Sequence, residues 1–293
     1  MKLGIIGGSG IYQLEGLTQL ETLKVDTPFG APSDEFVRGR LGDREVVFLP
    51  RHGKGHRLLP SEINHRANIY AFKTLGIERI ISVSAVGSLR EHLRPRDMVL
   101  PDQFYDRTKR SEEQTFFGHG LVAHVAFAEP VCSDLRAFLF EGIQAALTQR
   151  GEKKTRLHNG GTYVCMEGPV FSTRAESNSY RQLGGDVIGM TSLPEAKLCR
   201  EAEICYAAMA MVTDYDCWRE DEEHVTVDMI VANLLANSSL AKEVLARLIA
   251  TLPGTRTCTC GTALKNAILT DRTAIPATAL AKLHPIVGRY FPT

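Results

Sequence analysis

The segment Asp214-Tyr215-Asp216 follows an apolar run, Ala207–Thr213, that reads as a buried strand. Alternation along a strand would put both carboxylates on one side, about 6–7 Å apart. Such a pair suits a metal site, an acid/base couple, or hydrogen bonding to a group with several donors. The 6-amino group and N7 of adenine fit the last, provided one carboxyl holds or shares a proton. A pair of capping or solvated carboxylates is the plain alternative.

Other segments offer donors for an anion. Gly7-Gly8-Ser9-Gly10 directly follows a strand pattern, and its glycines let backbone N–H groups turn toward a phosphate while Ser9 adds a hydroxyl. It is neither a dinucleotide fingerprint, since position 13 is Gln, nor a Walker A loop, so a simple tight turn stays open. Arg51-His52-Gly53-Lys54-Gly55-His56 places a fork-shaped donor beside an imidazole after the Val46–Leu49 run. The two histidines would share a face only on a helix, and Gly53 and Gly55 argue against one, so zinc is disfavoured there. An incidental basic loop remains the other reading. Ser84-Ala85-Val86-Gly87-Ser88 closes the run Ile80–Ser84 with residues small enough for close backbone approach. Met190-Thr191-Ser192 ends one strand pattern and opens a helix, so Thr191 is placed either to donate to an anion or only to cap.

Phe171, in Met166-Glu167-Gly168-Pro169-Val170-Phe171-Ser172, could stack on a planar base or fill the core. Cys258-Thr259-Cys260 could form a small strained disulfide or bind metal, but free thiols are expected in a chain without an export signal. Cys132, Cys165, Cys199, Cys205 and Cys217 read as buried small hydrophobes. No Ser-His-Asp signature or metal set emerges. The anion donors and the carboxylate pair together suit a reaction in which phosphate is a reactant and a purine the leaving group.

The elements that must hold these residues alternate. Short apolar runs at Leu3–Ile6, Val46–Leu49, Ile80–Ser84, Met98–Leu100, Gly161–Cys165, Val187–Met190 and Ala207–Thr213 predict strands. Ser61–Leu75 and Thr226–Leu252 predict helices. Thr173 with Glu176 and Ser192 with Glu195 predict capping boxes opening two more. Tyr105–Ala128 reads as a long functional loop, and Pro276–His284 as a last helix stopped by Pro285. This alternation predicts a single α/β domain with a mixed, partly barrel-like twisted sheet covered by helices on both faces. The 293 residues carry 34 basic and 34 acidic side chains, which argues against a protein that lives on nucleic acid or anionic membrane. Ile204–Val212, the longest fully apolar run, is about half of a bilayer span. The N-terminus reads as a first strand, not a signal peptide.

Taken in combination, Gly4-Ile5-Ile6-Gly7-Gly8-Ser9-Gly10, Thr27-Pro28-Phe29-Gly30 with Pro32-Ser33, Arg51-His52, Gly87-Ser88-Leu89-Arg90, Glu167-Gly168-Pro169, Arg174-Ala175-Glu176-Ser177 and Thr213-Asp214-Tyr215-Asp216-Cys217-Trp218 resemble the S-methyl-5'-thioadenosine phosphorylases. These belong to the trimer-type purine nucleoside phosphorylases. The resemblance runs from residue 3 to about residue 250, and the tail from about 253 to 293 matches only loosely. It implies phosphorolysis, with inorganic phosphate as co-substrate and no cofactor. Ser9, Arg51, His52, Ser84, Ala85 and Thr191 match phosphate-binding positions. Phe171 and Met190 match contacts to base and ribose, with Ser172 beside them. Asp214 and Asp216 match the pair that recognises the adenine edge. His124 matches a residue reaching a neighbouring subunit's 5'-alkylthio pocket, and Val227 a lining position of that pocket. A cytoplasmic homo-oligomer, trimer or hexamer, is therefore expected. Ser9 and Ser84 stand where Thr is common. Val86 stands where Cys is familiar, and Gly189 where Asn is expected. A phosphorylase of other purine specificity, a nucleosidase using water and a non-catalytic nucleoside binder are the alternatives.

Overall fold

The computed structural model describes residues 2–8, 14, 16–219 and 227–292, without the side chains of 227–232 and 234. In chain order the elements begin with strands β1 (Lys2–Gly7), β2 (Thr18–Leu23), β3 (Phe36–Leu41) and β4 (Arg44–Pro50), followed by helix α1 (His65–Thr74). Strands β5 (Arg79–Ser88), β6 (Met98–Leu100) and β7 (Gln103–Arg107) lead to α2 (Ser133–Arg150). Then come β8 (Leu157–Asn159), β9 (Thr162–Met166), α3 (Arg174–Gln182), β10 (Val187–Gly189), α4 (Ser192–Glu201) and β11 (Cys205–Asp214). Helices α5 (Val227–Thr251) and α6 (Ala277–Val287) complete the fold.

The strands form one mixed sheet in the order β2-β3-β4-β1-β5-β10-β9-β7, with β11 branching from β5, β6 pairing with β11, and β8 with β6. β1, β4, β5 and β11 run parallel, whereas β10 meets β5 antiparallel. Side-chain alternation sends Leu3, Ile5, Val46, Phe48, Ile81 and Val83 to one face, under α2 and α5. Ile6, Val47, Leu49, Ile80, Tyr206 and Ala208 face the other, under α1, α4 and α6. Both faces are covered, as the sequence pattern predicts. Among the described residues, no helix is long and apolar enough to cross a membrane.

The seven predicted strands are all present, several of them longer than the apolar runs alone. β2, β3, β7 and β8 were not anticipated; β2 and β7 are mostly exposed and lack a clean apolar face. Helix α2 was also missed, although Leu135, Leu139, Ile143 and Leu147 form its buried stripe. Gly142 sits inside that continuous helix where α5 approaches so closely that a Cβ there would strike Leu248. The segment read as a loop from Tyr105 starts inside β7. Beyond it, the backbone of Phe116 and the Thr115 hydroxyl are held by the buried Glu201 carboxylate, at 2.6 and 2.7 Å.

The Thr173–Glu176 capping box forms, with Thr173 Oγ1 accepting from the Glu176 N–H and Glu176 returning the contact. The second predicted box does not. Thr191, not Ser192, occupies the N-cap of α4, and no side chain caps it. Glu195 is committed elsewhere, as described below. Pro285 lies inside α6 rather than ending it. A proline near a helix end removes only one backbone bond, and Leu283, Ile286 and Val287 are all buried against the core. The helix predicted from Ser61 starts at His65, capped by Asn64, after a 3-10 turn at Pro60–Glu62.

Candidate active site

β5 pairs with β1 only as far as Ser82 and is joined by β10 only from Gly87. Ser84, Ala85 and Val86 therefore lie where the strand changes neighbours, and a cavity of about 520 Å³ opens beside them. Such switch points leave the strand ends uncovered for a ligand. β4 delivers Arg51 and His52 to this cavity, β10 delivers Gly189, Met190 and Thr191, and β11 delivers Asp214. Phe171 and Asp216 complete the opposing walls.

Arg51 is 3% exposed. Its Nε and Nη2 donate to Glu195 at 2.5 and 3.3 Å, Nη2 also to Ser82 Oγ at 2.6 Å, and Nη1 to the Val83 carbonyl at 3.0 Å. A guanidinium has five N–H bonds. Four are thus committed among the described residues, leaving one Nη1 donor for the cavity. Burial opposes the charge on Glu195, but the Arg51 guanidinium, joined by His65 and the Ser82 hydroxyl, holds the carboxyl below its usual range. Ser82 Oγ and Tyr206 Oη also donate to it, at 2.7 and 3.0 Å. Sequence reading missed Glu195 as a site residue by assigning it to a cap. Its signal was an acid within the first turn of a helix otherwise buried almost throughout.

His52 is pushed down to about 4 by burial and by the Arg51 charge, so it is neutral near pH 7. Its Nδ1 lies 2.9 Å from the Leu58 carbonyl. That contact requires the proton on Nδ1, leaving Nε2 as an acceptor until an anion promotes protonation. The ring stacks on His56 with centroids 4.3 Å apart. Both histidines lie in a turn, with Gly53 at φ +72° and Gly55 at φ +80°, not on a helix.

Thr191 is buried, lines the cavity and leaves its hydroxyl out of the helix cap. The first turn of α4, the positive end of its dipole, thus begins beside that hydroxyl. Ser84 Oγ is 3.4 Å from Ser192 Oγ. The residues expected to hold an anion, Arg51, His52, Ser84, Ala85 and Thr191, therefore do line one cavity. Ser9 lies outside the described residues.

The two aspartates line the same cavity, but not by strand alternation. β11 ends at Asp214, and Asp216 turns back with φ +52°. The Asp216 N–H donates to Asp214 Oδ1 at 2.8 Å, and Thr213 Oγ1 donates to Oδ2 at 2.7 Å. Burial raises the Asp214 carboxyl above its ordinary value despite those two bonds. Burial, with the neighbouring Asp214 charge, does the same to Asp216. The turn is clamped from behind. Trp218 Nε1 donates to the Ser88 carbonyl at 2.8 Å, and the Arg181 guanidinium lies 3.6 Å over the indole. Gly87 admits the pair, since a Cβ there would sit 3.1 Å from Asp214 Oδ1.

Phe171 is 62% exposed at the cavity wall, which excludes its reading as a core aromatic. Ser172 is buried and does not line the cavity; its carbonyl accepts from the Cys217 thiol at 3.1 Å. Cys217, read as a buried hydrophobe, instead lines the cavity. Gly189 has a local cause. Tyr163, fully buried, sets its hydroxyl where a side chain at 189 would go. His124 is exposed and lies outside this cavity, with its N–H donating to the Ala267 carbonyl at 2.8 Å. Val227 starts α5, and its side chain lies outside the described residues.

The model of the phosphorylase superfamily matches residues 2–251. The S-methyl-5'-thioadenosine phosphorylase of Geobacter sulfurreducens is 55% identical over 288 residues, 98% of each chain. The crystal structure of a methylthioadenosine phosphorylase from an Antarctic soil metagenomic library superposes with a TM-score of 0.90, at 47% identity over 97% of this chain and 98% of that one. The methylthioadenosine phosphorylase of Schistosoma mansoni, solved in complex with adenine, superposes with a TM-score of 0.83, at 39% identity over 90% and 96%.

Proposed function

Because the chain belongs to the S-methyl-5'-thioadenosine phosphorylases of the phosphorylase superfamily, we propose that it cleaves S-methyl-5'-thioadenosine with phosphate, giving adenine and 5-methylthioribose 1-phosphate. The observation that carries this is one cavity joining an oriented Arg51 and a Thr191 hydroxyl that caps no helix to a buried carboxyl, Asp214, of raised pKa.

In this reading phosphate sits between Arg51, His52, Ser84, the Ala85 backbone, Thr191 and Ser9. Adenine stacks on Phe171, the ribose meets Met190, and Ser172 supports the base wall through Cys217. The C1'–N9 bond stretches first, building positive charge on the sugar. Asp214 holds a proton at N7, so the electron pair of the breaking bond leaves on a neutral purine. Asp216 accepts from the 6-amino group. The phosphate dianion stabilises the sugar cation and then bonds to C1' from the opposite face. Phosphate is a co-substrate, and no cofactor enters. His124 of a neighbouring copy and Val227 line the 5'-methylthio pocket, which makes the active form a homo-oligomer, trimer or hexamer. The equal numbers of basic and acidic side chains support a protein acting on a small nucleoside, without nucleic acid or anionic membrane, and we place it in the cytoplasm.

The test is adenine release from methylthioadenosine with and without phosphate, beside adenosine and methylthioinosine. Phosphate-dependent release, fastest from methylthioadenosine, supports the reading. Release without phosphate makes the protein a nucleosidase. Preference for methylthioinosine overturns the base pocket.

A further inference from the structure

Four of the seven cysteines meet at one point away from the cavity. Cys132 stands at the N-cap of α2, Cys205 opens β11, and Cys258 and Cys260 follow α5. All four are free, three are buried and Cys258 is half-buried. Their Sγ atoms all lie within 4.8 Å of one another, with Cys205 and Cys258 3.3 Å apart. We propose that these four thiolates form a closed structural site for a soft divalent cation, zinc.

The distances suit the ion. Zinc holds thiolate sulfurs at about 2.3 Å in a tetrahedron, which sets the sulfurs about 3.8 Å apart. Every sulfur here is within reach of every other, so the geometry describes a common centre rather than two chosen pairs. A Cys258–Cys260 disulfide, by contrast, would close a small strained ring. The surroundings favour thiolates at one corner. The Leu135 N–H donates to Cys132 Sγ at 3.5 Å, and the positive end of α2 faces the same atom. Leu135, Leu139, Met209 and Leu252 belong to the apolar cluster that contains Cys132, Cys205 and Cys260, which limits solvent access. With four protein ligands no position is left open, so the role is structural, not catalytic.

The ion would tie the tail, beyond the region matched by the family model, to the starts of α2 and β11. That tail also backs the loop carrying His124, through the Ala123–Ile268 bridge and the His124 N–H to the Ala267 carbonyl. The proposal stands independently of the reaction assigned to the cavity.

The experiment uses the untagged full chain, purified anaerobically with a reductant and no chelator. Elemental analysis is expected to give one zinc per chain. The chain stripped by chelation should rebind one Zn²⁺, and Co²⁺ should give sulfur-to-metal charge-transfer bands with tetrahedral visible absorption. Alkylation of Cys258 should be slow with zinc and fast after chelation. The double substitution Cys258→Ser with Cys260→Ser should abolish stoichiometric zinc. Disulfides among the four in the anaerobic protein, or reduced protein that fails to bind Zn²⁺ stoichiometrically, would overturn the proposal. Because metal content is the readout, this failure is distinct from loss of phosphorolysis.

Discussion

Asp214 carries two hydrogen bonds that favour its charged form, yet burial keeps its pKa raised. A carboxyl in that state retains its proton to higher pH than an exposed one. On the proposed reading, kcat/KM for methylthioadenosine therefore falls as pH rises through that raised pKa. Asp214→Asn should lower adenine-nucleoside turnover about 10²-fold and remove that alkaline limb. Full activity in the variant, measured by adenine release across pH, would sink the proton role. Arg51 and Glu195 raise a different issue, because each is buried and each compensates the other. Glu195→Ala leaves a buried guanidinium without its counter-ion and should cost about 3–5 kcal/mol of stability. Where the variant folds, the phosphate KM should rise more than the nucleoside KM, because the orientation of Arg51 is lost. Equal change in both would contradict a positioning role for Glu195.

α1 begins with His65, an imidazole that burial pushes down to about 4. The folded pKa lies below the unfolded value, so this group's contribution is complete above about pH 6.5 and is lost as pH falls toward 4. Denaturation of the wild type and His65→Gln should diverge over that window, the wild type losing about 3 kcal/mol relative to the variant. Parallel pH profiles would show that His65 is not neutral in the fold. At the end of β10, Gly189 is required by the Tyr163 hydroxyl beside it. Gly189→Ala forces that ring to move and should cost about 1–3 kcal/mol, read as a lowered denaturant midpoint. The Asn expected at this position would meet the same hydroxyl, so Tyr163, packed behind the cavity wall, favours Gly at 189.

The whole chain leaves Phe171 exposed at the cavity and His124 outside it. A complete pocket in the proposed reading therefore needs a second copy. Light scattering should give a trimer or hexamer. His124→Ala should lower the preference for methylthioadenosine over adenosine by about tenfold, since an apolar pocket discriminates only modestly. An active monomer with undiminished preference would refute the shared pocket.

The seven strands read from the sequence were recoverable because each carries a short apolar run that is rich in β-branched residues or bounded by Gly, Pro or Asp. The residues at their ends were recoverable because ligands collect where parallel strands stop. The sequence by itself determined that Arg51, Thr191 and Asp214 sit at strand ends, and the family to which these motifs belong; Ser84, read as the end of its strand, lies inside β5, which runs on to Ser88. The tertiary structure alone decided which distant residues meet. Glu195 pairs with Arg51 across 144 positions because β4 and α4 are brought together by the sheet order. Asp216 faces the cavity through a left-handed turn that strand periodicity does not describe. The convergence of Cys132 and Cys205 with Cys258 and Cys260 depends on how the tail returns to β11 and α2. Local pattern is written by neighbours in the chain, whereas these contacts depend on how the sheet and helices pack.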